Sequence, residues 1–187
     1  MNNPQLRQYQ RDVINEFHRR IDEGHRRILL IAPTGAGKTI IGAEIIGDTA
    51  RGMSPVLVLA HRREIIGQTS RKLYAAGIAH GIIQAGFPTR LLELVQVASI
   101  QTLWVRAMHR HCMDLPPARL LVVDEAHHCP AETYHRIIKA YPGANLLGLT
   151  ATPLRSQDDE TKRLAKRFGS LLLGFCYMRQ ANQFRIS

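Results

Sequence analysis

The stretch Ala32-Pro33-Thr34-Gly35-Ala36-Gly37-Lys38-Thr39 comes directly after an apolar run, Ile-Leu-Leu-Ile, at residues 28–31. A short apolar run of this kind is typical of a buried strand, and the apolar residues of segment 40–46 have the spacing of a helix. Gly35 and Gly37 permit backbone angles that turn several N–H groups inward, and the helix N-terminus adds the positive end of its dipole. Strand, glycine-bearing loop and helix together predict a cradle for phosphate groups.

Two side chains at the end of this loop complete the predicted cradle. Lys38 can reach the β- and γ-phosphates of a nucleotide, and the Thr39 hydroxyl can ligate Mg²⁺. The strict pattern of such loops opens with glycine, whereas this chain has Ala32 at that position. The loop therefore predicts a nucleotide site that needs support from other parts of the chain.

The composition is that of a globular protein with a large excess of positive charge. The 187 residues suffice for one well-packed domain. The net charge of +10 favours a polyanionic partner, nucleic acid before membrane, with a merely solvated basic surface as the alternative. No apolar run approaches the roughly 20 residues of a membrane span, and the N-terminus does not resemble a secretory signal. Cys112, Cys129 and Cys176 follow no pattern and fit reduced thiols, so we expect a cytoplasmic protein.

Apolar, β-branched runs alternate with helical patterns along nearly the whole chain. This alternation predicts βαβ units, and hence an α/β fold with a mainly parallel central sheet between two layers of helices. We expect one domain over 1–187, with an N-terminal helical segment 1–26, a core 27–155, and a last helix and strand in 156–187. The predicted strands are 27–32, 55–60, 81–84, 94–98, 120–124, 146–149 and 171–177. The predicted helices are 5–23, 39–51, 62–76, 100–111, 131–141 and 158–168.

A further apolar run, at residues 120–123, leads into Asp124-Glu125-Ala126-His127. This order places two carboxylates at the carboxyl end of a buried strand, the edge of an α/β sheet where ligands bind. The first acid can hold Mg²⁺ opposite Thr39, and the second can orient or deprotonate an attacking water. The alternative is a pair of acids that caps the next helix.

The run at residues 146–149 similarly leads into Thr150-Ala151-Thr152-Pro153. Two hydroxyl groups at the end of a strand can form hydrogen bonds with groups at neighbouring strand ends, such as His127. Thr-x-Thr-Pro is also an ordinary exit from a strand, so this motif gains weight only from its position after the other two.

The phosphate loop, Asp-Glu-Ala-His and Thr-Ala-Thr, in this order, resemble the superfamily 2 helicases and translocases of the DEAD/DEAH-box kind. The resemblance covers nearly the whole chain, as the first RecA-like domain of that family, a three-layer α/β/α P-loop domain. RadD-like DNA-repair ATPases and restriction-enzyme motor subunits are the most similar members. Leu6-Arg7-Gln8-Tyr9-Gln10 looks like the adenine-recognising segment. Residues 58–62, with Gln68, look like motif Ia, and residues 98–102 look like the next motif that contacts nucleic acid.

The resemblance implies ATP and Mg²⁺ as cofactors and a role for each matched residue. Lys38 would bind the phosphates, Thr39 and Asp124 the Mg²⁺, and Glu125 would be the catalytic base. ATP would also be contacted by Arg7, Gln10, Pro33, Thr34, Gly35, Ala36 and Gly37. His127, Thr150 and Thr152 would couple the nucleotide state to the grip on nucleic acid. The strand track would be lined by Ala60, His61, Arg62, Ser99, Gln101 and Thr102. A helix N-cap is the simpler role for Ser99, and both roles are compatible.

The resemblance also implies partners. These are nucleic acid, with DNA favoured over RNA, and a second RecA-like domain, in cis or in trans, that supplies an arginine finger. The segment after Pro153 is too short to supply that domain, so we expect a monomer that depends on a domain outside these residues. Two other interpretations stay open. One is another class of loop-bearing ATPase, and the other is a catalytically silent ATP- or nucleic-acid-binding module that acts with a separate chain.

Overall fold

The computed structural model describes residues 6–33, 35–88, 90–126, 132–151, 168 and 170–173. The helices of these ranges are α1 (Gln8–Asp22), α2 (Lys38–Arg51), α3 (Arg63–Ala75), α4 (Ile100–Leu103), a π-helix (Trp104–His109) and α5 (Glu132–Lys139). The strands are β1 (Arg27–Ile31), β2 (Val56–Ala60), β3 (His80–Ile83), β4 (Val95–Ser99), β5 (Leu120–Asp124), β6 (Asn145–Thr150) and β7 (Ser170–Leu173). Each predicted strand is confirmed to within about two residues at the ends that are described.

The seven described strands form one sheet in the order β3-β4-β2-β5-β6-β1-β7, and all neighbouring pairs are parallel. The predicted α/β class with a parallel sheet is therefore confirmed. In this order β6 lies between β1 and β5, so the chain segments that follow these three strands leave the sheet side by side. Likewise β2 lies between β5 and β4. The carboxyl ends of β1, β2, β4, β5 and β6 thus form one continuous edge.

Helices cover both faces of the sheet, and each face has its own apolar core. One core joins α1, α2 and α3 to the sheet through residues such as Phe17, Ile41 and Ile66. The other joins α4, the π-helix and α5 to the opposite face through residues such as Leu103 and Ile137. Because both faces are covered, β2 and β4 are buried at every position. This accounts for the continuous apolar run of β2 in place of an alternating pattern, whereas β4 also buries the polar Gln96.

The helices agree with the sequence in position and differ from it in one respect. The segment 100–111 was expected to be a single helix, but α4 gives way to a π-helix at Trp104. The Arg110 N–H donates to Val105 O at 2.8 Å, five residues back. Apolar spacing cannot distinguish an α-turn from a π-turn over so few residues. The predicted helix 158–168 lies almost wholly outside the described residues. None of the helices in the described ranges is long and apolar enough to cross a membrane.

Two leucines test how strongly the central strands hold this fold together. Leu57 in β2 is 0% exposed, whereas Leu92 in the connection before β4 is 100% exposed. Leu57→Ala should lower the free energy of unfolding by about 2–5 kcal/mol, because it removes buried methyl groups and leaves a cavity. Leu92→Ala should change it by less than about 0.5 kcal/mol. Urea denaturation monitored by circular dichroism measures both. Equal losses would contradict the placement of β2 at the centre of the sheet.

Candidate functional site

The loop between β1 and α2 has the backbone that the sequence predicts. Gly35 has a φ of 83° and Gly37 a φ of 75°, both in the left-handed region that residues with a Cβ rarely adopt. The Ala36 N–H donates to Pro33 O at 3.1 Å, and Gly37 is the N-cap of α2. The loop therefore ends on the N-terminus of a helix of 14 residues, where N–H groups and the helix dipole favour an anion. Thr34 lies outside the described residues.

The Lys38 ammonium lies across this loop and binds its carbonyl groups. Nζ donates to Ala32 O at 2.8 Å and to Pro33 O at 3.3 Å. Burial lowers the pKa of Lys38, whereas the charges of Glu125 and Asp124 act in the opposite direction. The structure therefore brings the lysine of the loop close enough to Asp124 and Glu125 for their opposite charges to interact.

Asp124 and Glu125 stand at the carboxyl end of β5, as predicted. Burial and the charge of Glu125 raise the pKa of Asp124. A hydrogen bond from the Glu125 N–H to Asp124 Oδ1, at 3.0 Å, and the ammonium groups of Lys72 and Lys38 oppose this shift. Glu125 has a φ of 55°, which is uncommon for a residue other than glycine. Backbone strain of this kind concentrates at functional sites.

The oxygen donors at this edge fit a magnesium ion. The Thr39 and Asp124 side chains line the same small cavity between α2, α3 and the sheet. Carboxylate and hydroxyl oxygens are the ligands that Mg²⁺ prefers. Because burial disfavours the charged form of Asp124, a cation at this position would stabilise the carboxylate.

Strand β6 places Thr150 between the phosphate loop and the acids. Thr150 pairs with Ile31 in β1, and its carbonyl accepts a hydrogen bond from the Ala32 N–H at 3.1 Å. On the other side of β6, Leu149 pairs with Asp124. Thr150 is 0% exposed, which fits a residue that acts inside the protein. The other predicted coupling residues, His127 and Thr152, lie outside the described residues.

The start of α1 packs against the phosphate loop. The Tyr9 hydroxyl donates to Ala36 O at 3.0 Å, and Gln10 is 4% exposed. Gln10 Oε1 accepts a hydrogen bond from the Arg7 N–H at 2.9 Å. Gln10 Nε2 lies so close to Gly37 that a Cβ at this position would collide with it. Arg7 and Gln10 are thus brought to the loop, and their contacts with adenine stay a prediction.

The two segments predicted to contact nucleic acid lie side by side at the same sheet edge. Ala60 at the end of β2 pairs with Ser99 at the end of β4. Arg62 is the N-cap of α3, and its Nε donates to His61 Nε2 at 3.2 Å. The structure therefore brings residues that are almost 40 positions apart in the sequence to the same sheet edge, where Ala60 is 0% exposed and Ser99 is also buried.

The Ser99 side chain caps α4, so the simpler role that the sequence allows it is present. Ser99 Oγ accepts a hydrogen bond from the Thr102 N–H at 3.4 Å and donates one to Gln101 Oε1 at 3.1 Å. Thr102 Oγ1 accepts a hydrogen bond from the Ala85 N–H at 3.3 Å. These bonds hold the segment and the loop after β3 together. The contact of Ser99, Gln101 and Thr102 with nucleic acid stays a prediction.

Sequence reasoning missed two residues of the site. Tyr9 belongs to the quoted adenine-recognising segment, and its bond to the loop gives that aromatic residue a structural role. Lys72 in α3 belongs to none of the motifs that the sequence analysis identifies, but its Nζ donates to Thr39 Oγ1 at 3.0 Å. No signal in the sequence connects Lys72 with Thr39, because 33 residues separate them.

Comparisons with known proteins agree with this geometry. The family model described as "Type III restriction enzyme, res subunit" matches residues 3–155. The yeast Saccharomyces cerevisiae protein "Putative ATP-dependent helicase IRC3" is 32% identical over an alignment of 167 positions that covers 80% of this chain and 24% of that protein. "Putative DNA 3'-5' helicase Rad25" of Halobacterium salinarum is 34% identical over an alignment of 160 positions that covers 83% of this chain and 24% of that protein. The chain spans about a quarter of the length of these two relatives.

Two solved structures have the same fold. The "Hef helicase domain" of Pyrococcus furiosus superposes with a TM-score of 0.72 at 21% identity, over 90% of this chain and 38% of that chain. The Type ISP restriction-modification enzyme LlaGI gives a TM-score of 0.70 at 19% identity, over 97% of this chain and 21% of that chain. At these identities the likeness concerns the fold, and it confirms the predicted RecA-like helicase architecture.

The two left-handed glycines test the packing of α1 on the loop. Nothing lies within 4 Å of a Cβ at Gly35, whereas a Cβ at Gly37 would collide with Gln10. Gly35→Ala should cost about 1–2 kcal/mol of stability, from backbone strain alone. Gly37→Ala should cost about 0.5–1.5 kcal/mol more, because the end of the Gln10 side chain must leave its rotamer.

Urea denaturation of both variants measures the difference. A variant with both Gly37→Ala and Gln10→Ala should lose less than the sum of the two single losses, because the shorter side chain removes the collision. Equal losses for Gly35→Ala and Gly37→Ala, or strict additivity in the double variant, would show that Gln10 does not pack against the loop.

Proposed function

This chain belongs to the family of the type III restriction enzyme res subunit, and we propose that it is the ATP-binding first motor domain of a DNA-dependent helicase or translocase ATPase. One observation carries the proposal. The loop lysine, the loop threonine and the two acids, which lie about 85 positions apart in the sequence, meet at one edge of the sheet. This set contains a phosphate cradle, metal ligands and a base.

In the proposed mechanism the loop binds ATP before any chemistry. The N–H groups of residues 35–37 and the start of α2 receive the phosphate oxygens. Lys38 exchanges its bonds to Ala32 O and Pro33 O for bonds to the β- and γ-phosphates. Arg7 and Gln10 recognise adenine, and the bond from Tyr9 to the loop holds their segment in place.

Hydrolysis is the task of the acids after β5. Thr39 and Asp124 would hold Mg²⁺, which neutralises charge on the phosphates when bound. Glu125 orients the attacking water and accepts its proton. The proximity of Lys38 to both acids supports this assignment, because it places the carboxylates beside the group that binds phosphate.

The neighbouring sheet edge provides the surface for DNA. Ala60, His61 and Arg62 lie beside Ser99, Gln101 and Thr102, and the net charge of +10 favours a polyanion. Phe87, 43% exposed in the loop bound to Thr102, has the Arg63 guanidinium 5.9 Å from its ring centre. An exposed aromatic ring beside basic groups suits base stacking. DNA is favoured over RNA because relatives such as the Rad25 protein of Halobacterium salinarum are named as DNA helicases.

The proposal includes a second RecA-like domain that closes the ATP cleft, in cis or in trans, around a single copy of this chain. This part of the proposal is supported by the coverage of the two relatives, because the chain spans only about a quarter of their length. Thr150, His127 and Thr152 would transmit the nucleotide state to the DNA surface, which the position of Thr150 between loop and acids favours. We also propose a cytoplasmic location, on the basis of the unpatterned cysteines alone.

Loss of the loop lysine should weaken the binding of nucleotide. Lys38→Ala should weaken binding of ATP by at least about 1.5 kcal/mol, the range of a charge-assisted hydrogen bond. Isothermal titration calorimetry on the 187-residue chain measures it. Lys139→Ala, which removes an exposed lysine at the end of α5, serves as the control and should bind like the parent. An unchanged affinity in Lys38→Ala would overturn the assignment of this loop.

Glu125→Gln separates binding from hydrolysis. The amide keeps the shape of the side chain and removes the base, so Mg²⁺ and ATP should still bind while hydrolysis disappears. The measurements are calorimetry and phosphate release with and without single-stranded DNA, on the protein that carries both motor domains. Glu132→Gln, at an exposed carboxylate paired with Arg136, controls for the loss of negative charge. Parental turnover in Glu125→Gln would exclude Glu125 as the base.

A further inference from the structure

A lysine of helix α3 reaches the part of the nucleotide site where the two proposed metal ligands, Thr39 and Asp124, lie. Lys72 is in the last turn of α3, and its Nζ donates a hydrogen bond to Thr39 Oγ1 at 3.0 Å. Thr39 is the residue whose hydroxyl the proposed function gives to Mg²⁺. The contact therefore places a positive charge on one of the two proposed metal ligands.

The packing of α3 fixes this arrangement. Lys72 and Leu73 line the small cavity that also includes Thr39 and Asp124, and Ile46 and Leu149 form part of its apolar wall. A lysine can bury its methylene stem along such a wall while its ammonium reaches a polar group. Lys72 as a whole is exposed, so packing of α2 and α3 brings its stem to the cavity, and the hydrogen bond to Thr39 holds the ammonium there.

The charge of Lys72 reaches the second proposed ligand as well. Its ammonium is one of the groups that favour the charged form of Asp124 against burial and the charge of Glu125. It also acts on Lys38, where it disfavours a second positive charge. Lys72 therefore supplies at Thr39 and Asp124 the kind of stabilisation that a bound cation would supply.

We propose that the Lys72 ammonium is a built-in substitute for the divalent cation at Thr39 and Asp124, and that Lys72 and Mg²⁺ compete for this position. The inference rests on the proposed function, because that function makes Thr39 and Asp124 the metal ligands. An ammonium and Mg²⁺ held on the same hydroxyl oxygen would repel each other at close range, so binding of Mg²⁺ favours the departure of Lys72. Each then lowers the apparent affinity of the site for the other.

This competition would also balance the charge of the site while no metal is bound. With Lys72 in place, the half-buried Asp124 keeps a second positive partner beside Lys38 when no metal is bound. Because α3 begins at Arg63, directly after the predicted DNA segment 60–62, the metal position and that segment are connected by one helix.

Lys72→Met tests the competition, because methionine keeps an apolar stem and removes the ammonium. Binding of ADP to the 187-residue chain is measured by calorimetry over a series of Mg²⁺ concentrations. The Mg²⁺ concentration that gives half of the gain in ADP affinity should be at least about fivefold lower in Lys72→Met than in the parent, because a charge-assisted hydrogen bond no longer opposes the metal. Lys72→Gln, which removes the same charge, should behave alike, so a folding defect peculiar to one variant would not decide the result.

Arg71→Met is the matched control. It removes the same charge from the adjacent exposed position of α3, so it reports the long-range effect of charge on Mg²⁺ binding. This control should stay within about twofold of the parent, since exposed charges are screened. If Lys72→Met equals Arg71→Met, the competition does not exist. If Lys72→Met needs more Mg²⁺ than the parent, Lys72 is a nucleotide contact and the inference is overturned.

A second readout separates this inference from the proposed function. A parent chain that binds no ADP would refute the proposed function. Binding of Mn²⁺ alone, measured by electron paramagnetic resonance of the unbound ion, would then decide the role of Lys72. Tighter Mn²⁺ binding by Lys72→Met, by about fivefold or more, would support the competition. Mn²⁺ binding equal to that of Arg71→Met would overturn it.

Discussion

The parallel pairing of β1, β6 and β5 is the constraint on which the site depends. Ile31 pairs with Thr150, and Leu149 pairs with Asp124, so three chain segments leave the sheet at adjacent points. A shift of one residue in either pairing would turn every side chain of the strand to the opposite face, where the closely packed side chains of the other core leave no matching space. The apolar cores on both sides of the sheet therefore fix the register, and the register fixes where the loop and the acids meet.

Electrostatics at this edge is balanced by groups from three different elements. The acids come from β5, Lys38 from the start of α2, and Lys72 from the end of α3. Burial disfavours the charged forms of both Asp124 and Lys38, so each gains from the opposite charge of the other. A site of this kind is costly to form, and it pairs the acids with more than one positive group.

The glycine-bearing loop is supported from outside as well as by its own backbone. Tyr9 and Gln10 at the start of α1 contact Ala36 and approach Gly37 closely. Gly37 is therefore required for two reasons, its left-handed φ and the absence of a Cβ, whereas Gly35 is required for its φ alone. The segment that resembles an adenine-recognising motif thus also shapes the loop that receives the phosphates.

The sequence alone determined the features that depend on neighbouring residues. Apolar runs predicted each strand of the sheet, the two glycines predicted the left-handed loop, and the order of the motifs predicted the family. All of these signals are local, because a run, a glycine or a pair of acids can be recognised within a few positions. The boundary between α4 and the π-helix was not predicted, since the difference between an α-turn and a π-turn lies in which carbonyl accepts each N–H.

Only the tertiary structure decided which distant residues meet. The strand order is one such feature. The bond from Tyr9 to Ala36 joins positions 27 residues apart, and the bond from Lys72 to Thr39 joins positions 33 residues apart. A lysine on a basic helix has the same pattern in the sequence whether it points to solvent or to a metal ligand. Its direction follows from how α3 packs on α2 and on the sheet, and that packing depends on the whole apolar core.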